Sequence, residues 1–149
     1  VQTIANNIEK EKNIRIDYKI GTMIELPRAC LIADKIAKLA DFFSFGTNDL
    51  TQTTFGFSRD DVAPFLNDYI KNKIIKKDPF QSIDIDGVGL LVKTAVDKAR
   101  KVNPKIKIGI CGEHGGDPDS INFFYKCNLD YVSCSPFRVP VSILTTAKL

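Results

Sequence analysis

Phe42-Phe43-Ser44-Phe45-Gly46-Thr47-Asn48-Asp49-Leu50-Thr51-Gln52 changes character halfway along. Its opening bulky and β-prone residues suffice for a short buried strand; at Gly46 the run turns small, polar and turn-forming, so a strand end opens into a binding loop. Gly46 lets the backbone turn and a ligand come close, and the amide N–H groups after it can form a concavity that suits an anion. Asn48 and Asp49 add an amide and a carboxylate at the mouth. A carboxylate beside an anion site makes electrostatic sense only with a cation between them, which directs Asp49 toward a hard divalent ion such as Mg²⁺. The plainer reading is an Asx turn closing a strand.

Upstream, Val1 to Lys12 places Ile4, Ala5 and Ile8 on one face, which predicts a helix ending near Asn13. Ile16, Tyr18 and Ile20 alternate with charged residues and lead into Thr22-Met23-Ile24, a strand whose carboxyl end is Glu25. Pro27 stands at a natural first helical position, and Ala29, Ile32, Ala33, Ile36, Ala37 and Ala40 form an apolar stripe, predicting a helix to about Leu39. Downstream, Thr51 to Asp86 is a long excursion with a short helix from Asp61 to about Lys73 and a break at Asp78-Pro79. Excursions of that length are more often functional lids than spacers. Val88 to Val102 then traces an amphipathic helix closed by Asn103-Pro104. Ile106, Ile108 and Ile110 mark a third strand running into Cys111-Gly112-Glu113-His114-Gly115-Gly116. Asp117 and Pro118 start a helix that ends near Asn128, Tyr131 to Cys134 is a fourth strand, and Pro140 to Leu149 a last helix.

One helix followed by four strand-helix units predicts an α/β fold with a parallel sheet and right-handed crossovers. No Gly-x-Gly-x-x-Gly follows any strand, so a dinucleotide fold has no support. Four units are half of a (β/α)₈ TIM barrel, and a closed barrel needs roughly 200 residues or more. The expectation is therefore the C-terminal half of such a barrel over residues 1–149, the other half belonging to a longer product or a second copy. The start at Val1 inside a helical pattern, with Met23 the single methionine, also reads as a fragment.

The chain carries 21 Lys+Arg against 18 Asp+Glu, scattered along its 149 residues, and this balance makes no case for nucleic acid or a membrane surface as the main partner. Cys30, Cys111, Cys127 and Cys134 show no C-x-x-C pairing and no histidine companions, so neither a zinc site nor a disulfide framework is indicated, and a reducing compartment fits best.

Glu25, Asp49 and Cys111 fall at or just past the carboxyl ends of three different strands. In a parallel barrel those ends share the face on which active sites are built. Glu25 and Asp49 would give Mg²⁺ two carboxylate oxygens, leaving its other positions to water and an anionic substrate. Cys111 is a thiol at a strand end, with glycines that admit a substrate. A carboxylate before Pro27 also favours a helix N-terminus, and a buried cysteine is ordinarily a small hydrophobe, which is the reading for Cys30, Cys127 and Cys134. His114, the only histidine, shares the thiol's loop; a lone loop histidine is more often structural or solvent-facing than a proton carrier.

Four motifs together resemble the phosphoenolpyruvate-utilising enzymes: Gly21-Thr22-Met23-Ile24-Glu25-Leu26-Pro27, Phe45 to Gln52, Ile110 to Gly116, and Ser133-Cys134-Ser135-Pro136-Phe137-Arg138-Val139-Pro140. The likeness runs in order over nearly the whole chain. Phosphoenolpyruvate synthase and enzyme I of the sugar phosphotransferase system share the Gly-Thr/Ser-Asn-Asp and Cys-Gly elements. Gly56 to Asp61, the Glu-His-Gly-Gly loop and the Ser-Pro-Phe-Arg-Val-Pro ending are similar to the dikinase branch, which interconverts pyruvate, ATP and phosphate with phosphoenolpyruvate, AMP and diphosphate. The resemblance implies that Glu25 and Asp49 hold Mg²⁺, that Gly46, Thr47 and Asn48 contact pyruvate or phosphoenolpyruvate, and that Arg59 lies in the phosphate region. It also implies that Cys111 protonates enolpyruvate, with Tyr131, at the next strand end, orienting the thiol. The implied partners are a phosphohistidine domain of the same full-length chain and a second subunit. The nucleotide-binding and phosphohistidine domains lie outside these residues, so the 149-residue piece alone is expected to be inactive. Ala147-Lys148-Leu149 is close to the Ser-Lys-Leu peroxisomal address, an alternative to a cytoplasmic location. A barrel remnant acting only as an assembly surface is the competing reading.

Overall fold

The Phe42–Gly46 stretch is a strand and lies second of four. In the computed structural model, which describes residues 1–149, Thr22–Ile24 (β1), Phe42–Gly46 (β2), Lys107–Cys111 (β3) and Tyr131–Ser133 (β4) form one sheet in the order β1-β2-β3-β4. Every neighbouring pair is parallel, so each connection must cross back over the sheet, and helices make those crossings. The helices are α1 (Gln2–Lys12), which precedes the sheet, α2 (Pro27–Leu31), α3 (Ala33–Ile36), α4 (Thr47–Phe55), α5 (Ala63–Lys71), α6 (Leu90–Val102) and α7 (Pro118–Lys126), which lie between strands, and α8 (Val139–Thr146), which follows β4.

Side chains alternate across a strand, so register decides which residues share a face. Ile24 lies beside Phe45 and Phe45 beside Ile110; Phe43 lies beside Ile108. All five are completely buried and join Val92, Ala95, Val96 and Ala99 of α6 and Phe124 of α7 in one core. Burying each large side chain contributes roughly 1.5–3 kcal/mol. The alternating residues Met23, Ser44, Gly109 and Tyr131 face the other side, where Met23 and Tyr131 keep 42% and 38% of their surface exposed.

The predicted punctuation is present. Pro27 opens α2, and Asp117 caps α7 by accepting the Ser120 N–H at 2.9 Å ahead of Pro118. Asn103 closes α6 with its N–H on the Ala99 carbonyl. The excursion holds α5 and a small core of its own, in which Val62, Leu66 and Phe80 pack with Phe57 and Phe65.

Three expectations are corrected. Ile16 to Ile20 is not strand: the Ile16 N–H is taken by Glu9 Oε1 at 2.8 Å and the Ile20 N–H by Asp41 Oδ2 at 2.7 Å. Side-chain carboxylates hold donors that a ladder would need, and β1 is three residues long. The predicted helix from Pro27 to Leu39 breaks at Ile32, where φ is −111° and ψ 21°. Its stripe survives in part, with Ala33 and Ala37 buried, Ala29, Ile32, Ile36 and Ala40 half-buried, and Cys30 joining them inside, because the core is satisfied by two short pieces as well as by one long one. The residues after Gly46 are not a loop but the first turns of α4, closed by Gly56 in the left-handed region at φ 66°. On α1 the predicted apolar face is only partly covered: Ala5 is buried, whereas Ile4 and Ile8 are exposed.

Candidate active site

Adjacent parallel strands bring their carboxyl ends together. Gly46, the last residue of β2, is in register with Cys111, the last of β3, and Glu25 directly follows β1. Gly46 is a matter of close approach: a Cβ built on it would lie 2.4 Å from Glu25 Oε2 and 2.9 Å from Glu25 Cβ. The Glu25 carboxylate therefore lies against Gly46 from one side, and on the other the Cys111 thiol donates to the Phe45 carbonyl at 3.7 Å. That bond is open only to the protonated thiol. Cys111 is half-buried, whereas burial pushes the Cys30 thiol up to about 11 and also raises that of Cys127. Those two thiols are small hydrophobes; Cys134, read from sequence the same way, is instead half-buried with its sulfur 3.3 Å from Ser142 Oγ, and of the two half-buried thiols it is Cys111 that stands at a strand end beside Gly46.

Gly112 turns the chain out of β3 at φ 122°, a conformation that favours glycine. A Cβ there would lie 3.3 Å from Thr47 Oγ1 and 3.5 Å from the Asn48 amide, so the start of α4 packs directly on the thiol's turn. Helix α4 has no side-chain N-cap, and the amides of its first turn have no intrahelical partner, which leaves positive character there. Asn48 Oδ1 is buried without a hydrogen-bond partner, an unmet demand that a bound donor would satisfy.

Thr47 is fully buried, and its hydroxyl is 2.7 Å from His114 Nδ1, so its side chain is engaged internally and its amide is what it can offer a ligand. Asp49 is exposed in the first turn of α4 and accepts from Gln52 Nε2 at 3.0 Å; Gln52 Oε1 in turn accepts the Arg59 N–H at 2.7 Å. The Arg59 guanidinium lies 3.9 Å from Glu113. It lines a cleft of about 610 Å³ shared with Arg138, Asp78, Glu113 and Asp117, and neither Glu25, Asp49 nor Cys111 lines that cleft. Tyr131 opens β4 instead of ending it, opposite Gly109, and its hydroxyl donates to the Phe43 carbonyl at 3.3 Å; it makes no hydrogen bond to the thiol. Glu25, Gly46, Cys111 and the Thr47-Asn48 turn thus come together, while Asp49 and Arg59 are joined to each other through Gln52.

No group of three or more His, Cys, Asp or Glu side chains is gathered to hold a metal; the carboxylates nearest this end of the strands are Glu25, after β1, and Asp49, in the first turn of α4. Mg²⁺ suits such a set, because it commonly takes one or two carboxylates and keeps waters or substrate oxygens in its other positions.

Gln52 carries no sequence signal for a site role, and of the two sequence readings of His114, structural and solvent-facing, burial excludes the second. His114 is completely buried, with Nε2 2.8 Å from the Pro79 carbonyl. Desolvation holds its pKa below the ordinary 6.5, against the opposing pull of the Pro79 bond and of Asp117, Asp78 and Glu113. The unfolded chain therefore binds a proton more readily than the folded one. The neutral ring's stabilisation is complete above about pH 6.5 and is lost as pH falls from there through the folded value. Melting temperature is expected to drop on acidification below pH 6.5, and more steeply in the native protein than in His114→Asn; parallel curves for the two would contradict a buried neutral ring.

A parallel α/β sheet thus gathers a carboxylate, a thiol and an uncapped helix N-terminus at the carboxyl ends of its strands. The family model described as "PEP-utilising enzyme, PEP-binding domain" matches residues 1–148, and the chain belongs to that family. It is 57% identical over 149 residues to pyruvate, phosphate dikinase 1, chloroplastic, of Arabidopsis thaliana, covering 100% of this chain and 16% of the relative. It is 59% identical over 148 residues to pyruvate, phosphate dikinase of Clostridium symbiosum, covering 99% of this chain and 17% of the relative. Pyruvate, phosphate dikinase 2 of Zea mays is 56% identical over 149 residues, again with 100% of this chain and 17% of the relative covered. The chain thus spans 16–17% of the length of these curated relatives. No helix is long and apolar enough to cross a membrane.

Proposed function

We propose that these residues form the pyruvate- and phosphoenolpyruvate-handling part of a pyruvate, phosphate dikinase. The observation that carries the reading is the meeting of Glu25 and Cys111 across Gly46, beside an Asn48 oxygen that lacks a partner. The whole protein would interconvert pyruvate, ATP and phosphate with phosphoenolpyruvate, AMP and diphosphate, passing the phosphoryl group through a histidine on another domain. It would work outside membranes, in the cytoplasm. The four units are one half of a (β/α)₈ barrel on this reading, supported by the all-parallel strand order and by a second sheet face, carrying Met23, Ser44, Gly109 and Tyr131, on which Met23 and Tyr131 stay exposed.

Glu25 and Asp49 would hold Mg²⁺, which when bound supplies positive charge to offset an enolate oxygen and a phosphoryl group. The rest falls to the chain's own groups. Free amides at the start of α4 and the Asn48 Nδ2 hydrogens donate to the substrate's oxygens and fix its plane, while the unpartnered Asn48 Oδ1 is left to accept from an enol O–H or a water. Gly46 and Gly112 let the three-carbon acid approach the backbone. Toward pyruvate, the Cys111 S–H delivers its proton to C3 of enolpyruvate as the C3–H bond forms, leaving the sulfur as thiolate. Toward phosphoenolpyruvate, the thiolate removes a methyl proton from pyruvate and the enolate oxygen takes the phosphoryl group.

The full-length protein is expected to wash deuterium from solvent into the pyruvate methyl group and to form phosphoenolpyruvate with ATP and phosphate. Failure of both would overturn the reading. Phosphoenolpyruvate formed from pyruvate and ATP without phosphate would favour a synthase instead.

A further inference from the structure

The buried histidine is the group the proposed chemistry leaves unused, and its bonds run to two different parts of the fold. Pro79 offers only a carbonyl, so Nε2 must carry the hydrogen and donate. In the neutral ring Nδ1 is then an acceptor, and the Thr47 hydroxyl donates to it over 2.7 Å. That donation uses the only hydroxyl hydrogen of Thr47. Its separation of 3.4 Å from the Cys111 carbonyl is then packing at the β3 end, without a hydrogen bond. Thr47 is the first residue of α4, Asn48 the second, and both lie against Gly112.

We infer that His114 is a positioning residue: it clamps the first turn of α4 to the Cys111-Gly112 turn through Thr47, and the Pro79 segment to both, so that the Asn48 amide and the Cys111 thiol meet one substrate. This inference rests on the function proposed above. The two ring nitrogens have separable tasks, because other contacts also hold the excursion. Ser82 Oγ donates to Asp117 Oδ2 at 3.0 Å, and the Ile83 N–H donates to Ser120 Oγ at 2.9 Å. Losing the Pro79 bond should loosen only the residues nearest it, whereas losing the Thr47 bond should disturb the helix start.

Three variants of the full-length protein separate these tasks. Asparagine can place an acceptor where Nδ1 lies but cannot reach Pro79; glutamine can place a donor near the Nε2 position but leaves Thr47 without its acceptor; leucine does neither. His114→Leu and His114→Gln are expected to slow pyruvate methyl-proton exchange by about tenfold or more. His114→Asn should recover most of that rate. Phosphorylation of the carrier histidine by ATP, the control for the fraction of folded enzyme, should stay unchanged in all three. Backbone hydrogen exchange over Phe80 to Ser82 should rise in His114→Leu and His114→Asn but not in His114→Gln. Should His114→Leu fail to fold, the Asn and Gln pair still decides. Proton exchange in His114→Asn no faster than in His114→Gln would overturn the inference, as would rates that follow thermal stability across the variants. If the native protein exchanges no pyruvate proton, the proposed function falls, and the hydrogen-exchange pattern alone decides whether the clamp exists.

Discussion

Replacing Cys111 by alanine in the full-length protein is expected to slow interconversion of pyruvate and enolpyruvate by about 10² to 10⁴-fold, the usual contribution of a positioned general acid or base. Phosphoryl transfer between nucleotide and carrier histidine should persist, because no atom of that step is placed at the thiol. The substitution removes one sulfur from a half-buried strand end and breaks one long S–H bond to Phe45, so its cost in stability should stay within about 1 kcal/mol. The measurement is deuterium exchange at the pyruvate methyl group beside isotope exchange between ATP and AMP. If both reactions collapse together, the thiol acts on folding or domain docking. If neither changes, the chain is an assembly surface and the resemblance at Cys111 carries no chemistry. The contrast with Cys30 is physical: burial raises the pKa of that thiol to about 11, and no ligand can reach it.

Much of the sheet is legible in the sequence because buried parallel strands are short, apolar and punctuated. Phe42 to Phe45 and Ile106 to Ile110 declare themselves by composition, and Pro27, Asn103-Pro104 and Asp117-Pro118 mark where helices start or stop. What is not legible depends on partners far along the chain. The run Thr47-Asn48-Asp49-Leu50-Thr51-Gln52-Thr53-Thr54-Phe55 has little apolar periodicity and four threonines, residues that favour helix weakly. It is helical because Thr47, Leu50 and Thr51 are buried against the body, while Thr53 and Thr54 satisfy their hydroxyls on the Asp49 and Leu50 carbonyls at 2.8 and 2.6 Å, bonds that do not themselves favour the helix. Ile16 to Ile20 fails as a strand for the converse reason: alternation states which face could be buried, while pairing requires a neighbour at the right height, and Glu9 and Asp41 hold two of the donors.

The site divides along the same line. Glu25 and Cys111 stand beside Gly46 because adjacent strands in register leave them no other arrangement, so their proximity follows from strand order alone. Asp49 lies one helical turn away from that point, and its link to Arg59 through Gln52 depends on helix geometry that a loop reading does not contain. His114 is harder still, since its burial needs Pro79 and Thr47 to close on it from opposite directions along the chain.

Substitution of Gly46 by alanine should separate site geometry from fold. Its backbone has φ −85° and ψ 79°, negative-φ values that carry no glycine-only strain, so the issue is space. The new Cβ would come within 2.4 Å of Glu25 Oε2, and within 2.9 Å of both Glu25 Cβ and Met23 Cε. Met23 and the end of Glu25 are flexible and partly exposed, so they can move aside; the approach to Glu25 Cβ requires the residue after β1 to shift with them. A displacement of about 1 Å at a catalytic group can cost on the order of a hundredfold in rate, whereas relief by mobile side chains keeps the loss of stability to about 1–2 kcal/mol. Gly46→Ala is therefore expected to fold and to keep carrier-histidine phosphorylation. It should lose about a hundredfold in pyruvate turnover and need more Mg²⁺ to reach half its own maximal rate, because Glu25 is the group pushed away. Mg²⁺ titration of the rate, read beside thermal melting, checks this. Unchanged Mg²⁺ dependence together with native turnover would mean that Glu25 holds no ion at this strand end, and the pair of carboxylates would have to be sought elsewhere.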